Sequence, residues 1–146
     1  MIIIVDTNII ISACLNRNSE LFKLIDSYSI KIDFVISEYV MEEINNHKQR
    51  ICQKSKVELH IFDNNLNFLL SSLNTLNYQE LNKDIIINAK NLTDNIDKKD
   101  TIFIAFSIAL DSLFWSGDIK LYKALKRKGF ANIITTKEFK QIIKGL

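Results

Sequence analysis

The sequence predicts an α/β protein, a three-layer α/β/α sandwich on a mostly parallel sheet of four to five strands. Three observations lead there. Residues 2–5 (IIIV) form a continuous β-branched run, the pattern of a strand buried on both faces of a parallel sheet. Short strand-like runs recur at 34–37 (FVIS), 113–116 (LFWS) and 132–136 (NIITT). Between them lie segments with apolar residues at helical spacing, and alternation of strands with helices is the signature of a parallel sheet covered on both sides.

Taken in order, the IIIV strand comes first. Leu21, Leu24, Ile25 and Tyr28 then share one helical face, ahead of the FVIS strand. SEYVMEEI opens the next helix, and Leu59, Phe62, Leu66, Leu69 and Leu73 mark the face of another. A weaker strand is expected near Leu76–Tyr78. Ile102, Ala105, Phe106, Ala109 and Leu110 belong to a helix that is apolar nearly all round, which implies burial. LFWS follows, and Asp118 after Gly117 can cap the helix IKLYKALKRK. That helix closes with Lys126, Arg127 and Lys128 on its negative dipole end and Gly129 beyond it. After NIITT, the pair Thr135 and Glu138 forms a capping box for the last helix. With no proline, three glycines and no low-complexity tract or repeat, no linker is visible, and residues 1–146 read as one domain.

Composition excludes several classes. A content of 47% hydrophobic and 25% charged residues is that of an ordinary globular protein, arguing against disorder and against a membrane protein. The apolar run after Met1 ends at Asp6, too short and wrongly flanked for a signal peptide. A cytoplasmic location is therefore expected, with Cys14 and Cys52 as reduced thiols in helices. His47, Cys52 and His60 match no zinc-ligand spacing and read as polar residues on helical surfaces.

The net charge of +2 conceals an asymmetry. Residues 119–146 carry eight basic side chains against Glu138 alone, a net +7, leaving 11 basic against 16 acidic, a net −5. A basic segment beside an acidic remainder suits a phosphate-backbone ligand, since lysines that neutralise phosphates release counterions. The competing reading is a solvated helix face that only aids solubility.

Topology turns the acids into a site. In a parallel sheet with right-handed crossovers, strand C-termini and the N-termini of following helices share one edge. Asp6 ends the first strand, Asp118 follows LFWS, Glu43 lies in the early turns after FVIS, and Asp100 opens the helix leading into LFWS. Each could instead be a helix cap or a solvated first-turn acid. Four carboxylates on one edge repel one another, and that repulsion calls for a positive partner. Carboxylates without cysteine or histidine select a hard cation, Mg²⁺ or Mn²⁺, suited to phosphodiester hydrolysis. No Ser-His-Asp arrangement, glycine-rich phosphate loop or reactive cysteine offers a different chemistry. Trp115 and the phenylalanines lie in apolar runs and read as core.

Three stretches, IIIVDTNIIISA at the start, SEYVMEEI at 37–44 and DKKDTIFIAFSIALDSLFWSGDIKL at 97–121, resemble the signature blocks of PIN domains, metal-dependent nucleases that include the VapC-like toxin ribonucleases. Residues 50–95 match only as generic helices. The resemblance implies a metal site of Asp6, Glu43, Asp100 and Asp118. Asn8 and Ser116 would support the first and last aspartates by hydrogen bonding, Ser116 standing where threonine is common. Asp97 would be a helix N-cap and secondarily a helper at the metal site. Glu43 is favoured over Glu42 because the family's glutamate precedes an aliphatic residue, and neighbours about 100° apart on a helix cannot both point inward. The implied activity is a Mg²⁺- or Mn²⁺-dependent endoribonuclease, the toxin of a type II toxin–antitoxin pair, with Lys120, Lys123 and Arg127 among the lysine-rich contacts to RNA, a cognate antitoxin as protein partner, and a homodimer as assembly. The alternatives are a PIN-like module that binds RNA or protein without cutting, and an aspartate-based phosphatase. The second is weakened because Asn8 stands where such a phosphatase would need a second aspartate.

Overall fold

The computed structural model describes residues 1–146. Five strands, β1 (Ile2–Val5), β2 (Asp33–Ser37), β3 (Leu73–Leu76), β4 (Leu113–Trp115) and β5 (Ile133–Ile134), form one sheet of order β3-β2-β1-β4-β5. Every neighbouring pair is parallel. The α-helices are α1 (Thr7–Leu15), α2 (Glu20–Tyr28), α3 (Val40–Ser55), α4 (Leu59–Leu70), α5 (Lys83–Leu92), α6 (Thr101–Ala109), α7 (Ile119–Arg127) and α8 (Thr136–Ile143). Short 3₁₀ turns occupy Tyr78–Glu80 and Lys98–Asp100.

Paired residues on neighbouring strands share a face, and the aromatic side chains divide accordingly. Phe114 stacks on Phe103 of α6 at 5.2 Å between ring centroids. Trp115, one residue on and therefore on the opposite face, stacks on Phe139 of α8 at 4.2 Å, with Phe34 beside both. Helices thus cover both faces, the three-layer arrangement the alternation predicts. Ile3, Ile4 and Val5 are fully buried, as a central parallel strand requires.

The chain winds outward from β1 to β2 to β3, then crosses back to β4 on the other side of β1. The order reverses between β1 and β4, and the crevice beyond the C-terminal ends of such a pair is where open α/β sheets bind ligands. Asp6 N–H donates to the Trp115 carbonyl at 3.0 Å, holding the two strand ends side by side at that point.

The structure departs from the sequence reading in the middle of the chain. The apolar period runs unbroken from Leu59 to Leu73, but α4 stops at Leu70, and Leu73 instead begins β3, upstream of the strand expected near Leu76–Tyr78. Two serines intervene. Ser71 turns its hydroxyl back to the Phe68 carbonyl at 2.6 Å, competing with helix continuation, and Leu73 then pairs with Phe34. The expected NIITT strand shrinks to Ile133–Ile134 because Thr135 leaves the ladder to cap α8, with both halves of the capping box formed. Gly129 follows α7 with φ of 86°, as a C-terminal cap requires. Cys14 and Cys52 are free and buried. No helix is long and apolar enough to cross a membrane.

Candidate active site

Asp6, Glu43, Asp100 and Asp118 line one cavity of about 290 Å³, together with Asn8 and Asp97. Four different elements deliver them. Asp6 is the N-cap of α1 and is 4% exposed. Its Oδ1 accepts from Asn8 N–H at 3.4 Å and its Oδ2 from the Ser116 hydroxyl at 2.5 Å. Asp118 caps α7, accepting from Leu121 N–H at 3.0 Å, and its own N–H donates to Ser116 Oγ at 3.1 Å. Ser116 therefore joins the first and last aspartates directly, across the switch point. Asn8 supports Asp6 through its backbone; its side chain, which the resemblance assigned that task, lines the cavity with no hydrogen bond.

Asp97 caps the Lys98–Asp100 turn by accepting from Lys99 N–H at 3.0 Å, and that turn runs into α6 with Asp100 at the junction. On α3 the register separates the two glutamates. Glu43 is half-buried and lines the cavity; Glu42 is exposed and does not.

Electrostatics register the crowding. Burial, opposed in part by the hydrogen bonds from Ser116 and Asn8, lifts the Asp6 carboxyl to about 6, with Glu43 and Asp118 adding repulsion. Burial also lifts Asp100, to about 7, reinforced by the negative charges of Asp6, Asp97, Asp118 and Glu43. No basic side chain forms an ion pair with these acids: the ion pairs of the molecule are Lys48–Asp63, His60–Glu58 and Lys140–Glu20, all elsewhere.

The four acids offer oxygen donors only, which suits a hard dication. No three of them yet close around a point tightly enough to form a complete ligand set. An ion that keeps several waters and takes oxygens from a substrate phosphate, as Mg²⁺ does, needs no such cage. The residues present fit that kind of ion.

Three polar or basic cavity residues are not assigned to the site by the sequence: His47, Arg50 and Lys99. The sequence pattern places His47 and Cys52 on helical surfaces. The structure instead puts His47 in the acid-lined cavity and Cys52 in the core, 3% exposed. The available signal was spacing, since Glu43, His47 and Arg50 follow i, i+4, i+7 on one helix face. Of the basic residues proposed for RNA, Lys120 lines an adjoining groove of about 250 Å³ with Asp97, Asp100 and Asp118. Lys123 and Arg127 are exposed further along α7 and line neither cavity. A larger concavity of about 530 Å³ behind the Asp94–Lys98 loop holds none of the four acids.

A family model described as "PIN domain" matches residues 4–139. The chain belongs to the PIN domain family. PIN domains are generally nucleases, and the match spans every acid in the cavity. Among solved structures, this PIN domain is similar to a chain in the crystal structure of VapBC2 from Rickettsia felis bound to a DNA fragment from their promoter. The TM-score is 0.65 and the sequence identity 19%, with 92% of this chain and 97% of that chain covered. At that identity the likeness concerns the fold. No curated protein matches the sequence.

Proposed function

We propose that this PIN domain is a divalent-metal-dependent endoribonuclease acting as the toxin of a toxin–antitoxin pair. The observation that carries the nuclease reading is the meeting of Asp6, Glu43, Asp100 and Asp118 in one cavity at the sheet's switch point, with two of them held above the ordinary carboxylate range and no basic partner. Mg²⁺ or Mn²⁺ would supply charge neutralisation at the scissile phosphate and acidify the attacking water.

The chain's own residues set the conditions for that chemistry. Asp6, Glu43, Asp100 and Asp118 would hold the ion. The Ser116 hydroxyl, donating to Asp6, keeps one oxygen of that carboxylate occupied and fixes its plane. Asp97 pins the turn that presents Asp100. Lys120, beside the acids in the adjoining groove, offers a positive charge to the RNA backbone. Lys123 and Arg127 extend that charge along α7. The toxin assignment draws on the family resemblance and the fold likeness to a chain of VapBC2; the family resemblance adds an antitoxin as protein partner and a homodimer as assembly.

The test is cleavage of RNA by the purified protein with Mg²⁺ or Mn²⁺, wild type against Asp6→Asn and Asp100→Asn. A loss of about 10²-fold or more in each variant is expected. Cleavage that survives both substitutions assigns the activity elsewhere. Growth arrest on expression, relieved by Asp100→Asn and by co-expression of an antitoxin encoded beside the gene, tests the toxin half separately.

A further inference from the structure

The cavity is not purely acidic. Along α3 the side chains of Glu43, His47 and Arg50 line it in succession, and Lys99 joins from the Lys98–Asp100 turn. Cations in an acid-rich cavity ordinarily pair with the acids. These do not: neither Arg50 nor Lys99 comes within ion-pair distance of any carboxylate. The Arg50 side chain makes one hydrogen bond, from Nη2 to His47 Nδ1 at 3.3 Å. A guanidinium can only donate, so Nδ1 accepts, the ring proton sits on Nε2, and most of the Arg50 fork stays open to an acceptor from outside.

Geometry says where that acceptor lies. Arg50 is seven residues beyond Glu43, about 10 Å further along the helix axis. Long helical side chains lean toward the N-terminus, so Arg50 reaches back over His47 toward the acids without meeting them. A planar fork with several free donors is matched to a phosphate. On a strand whose scissile phosphate lies at the acids, the group that reaches this fork is a neighbouring phosphate.

We propose that the α3 wall is a subsite for the RNA phosphate next to the one that reacts. Arg50 binds it, His47 is the positioning residue that holds Arg50 in place, and Lys99 contributes a second charge. The inference rests on the ribonuclease reading above and deepens it, because a subsite of this kind selects a single strand threaded across α3. The competing role for the same residues is to screen the repulsion among the acids.

The experiment separates the two. A labelled single-stranded RNA is titrated with Asp100→Asn protein, which binds without turnover, alone and combined with Arg50→Gln, Arg50→Lys, Lys99→Gln or His47→Ala, at several salt concentrations. Arg50→Gln is expected to weaken binding about tenfold and to reduce the slope of log K against log salt by about 0.7. Arg50→Lys should recover the slope and only part of the affinity. His47→Ala should weaken binding when Arg50 is present and have no further effect beside Arg50→Gln. RNA affinity and salt slope unchanged by Arg50→Gln, or no binding of RNA by any form, overturn the subsite. A loss confined to metal-free stability assigns the residues to screening and overturns it too. Failure of wild-type protein to cleave RNA with Mg²⁺ or Mn²⁺ sinks the ribonuclease reading by a separate measurement, leaving the binding titration to judge the subsite.

Discussion

Asp6 and Asp100 show at the residue scale what the site demands of the fold. Each is raised toward neutrality by burial and by like charges, so in metal-free protein each destabilises the native state once ionised. A raised acid binds more protons folded than unfolded, so stability falls as pH rises from about 4, the unfolded value, to about 7. Thermal melts in chelator at pH 5 and pH 8 should show that fall, and Asp100→Asn should shrink it. The same variant should gain roughly 1–2 kcal/mol at pH 8, less than the shift alone implies because solvent screens the partly exposed Asp100. A site residue whose removal stabilises the metal-free chain while abolishing cleavage is the mark of charges gathered for function. At subsaturating metal, cleavage should rise with pH through about 6–7, since protons compete with the metal for the carboxyls, and saturating metal should move that limb to lower pH. Ser116→Ala removes the hydrogen bond that lowers Asp6. It should move the rising limb of the pH–rate profile upward and cost about 1–3 kcal/mol of stability in melts at pH 8.

At the scale of elements, the parts that were legible were those with a local chemical cause. IIIV could only be a buried strand, Thr135 with Glu138 a capping box, and Gly129 a helix end, and each stands where local chemistry requires. Thr135→Ala should lower stability by about 1 kcal/mol in denaturant titration, with cleavage unchanged because α8 lies outside the acid cavity. What was illegible depended on partners distant in sequence. The boundary between α4 and β3 is set by the pairing of Leu73 with Phe34, which the apolar period from Leu59 onward conceals. Cys52, grouped with His47 and His60 as a surface residue once their spacing ruled out a zinc site, sits on the face of α3 turned to the core. His47 and Arg50 were missed for a different reason. Their spacing from Glu43 was visible, but only the fold shows that this stripe faces the acids.

For the whole molecule, the strand order does the decisive positioning. Acids separated by more than a hundred residues, Asp6 and Asp118, become neighbours because β1 and β4 are adjacent at the point where the winding reverses. Position along the sheet edge could be argued from sequence, and the family resemblance implies that Ser116 supports an aspartate; that its one hydroxyl bridges both Asp6 and Asp118 depends on side-chain direction at the strand ends. The charge asymmetry also divides by place. Lys126 and Lys128 spend their ammonium groups on the Ala131 and Asp94 carbonyls and Lys140 on Glu20, so Lys120 is the member of the basic segment nearest the chemistry. The most direct test of the central claim is calorimetric titration of Mn²⁺ into the chelator-treated protein at pH 8. Saturable binding that raises the melting temperature and disappears in both Asp6→Asn and Asp100→Asn is the expected result. Binding that is absent, or that persists unchanged in both variants, contradicts the account.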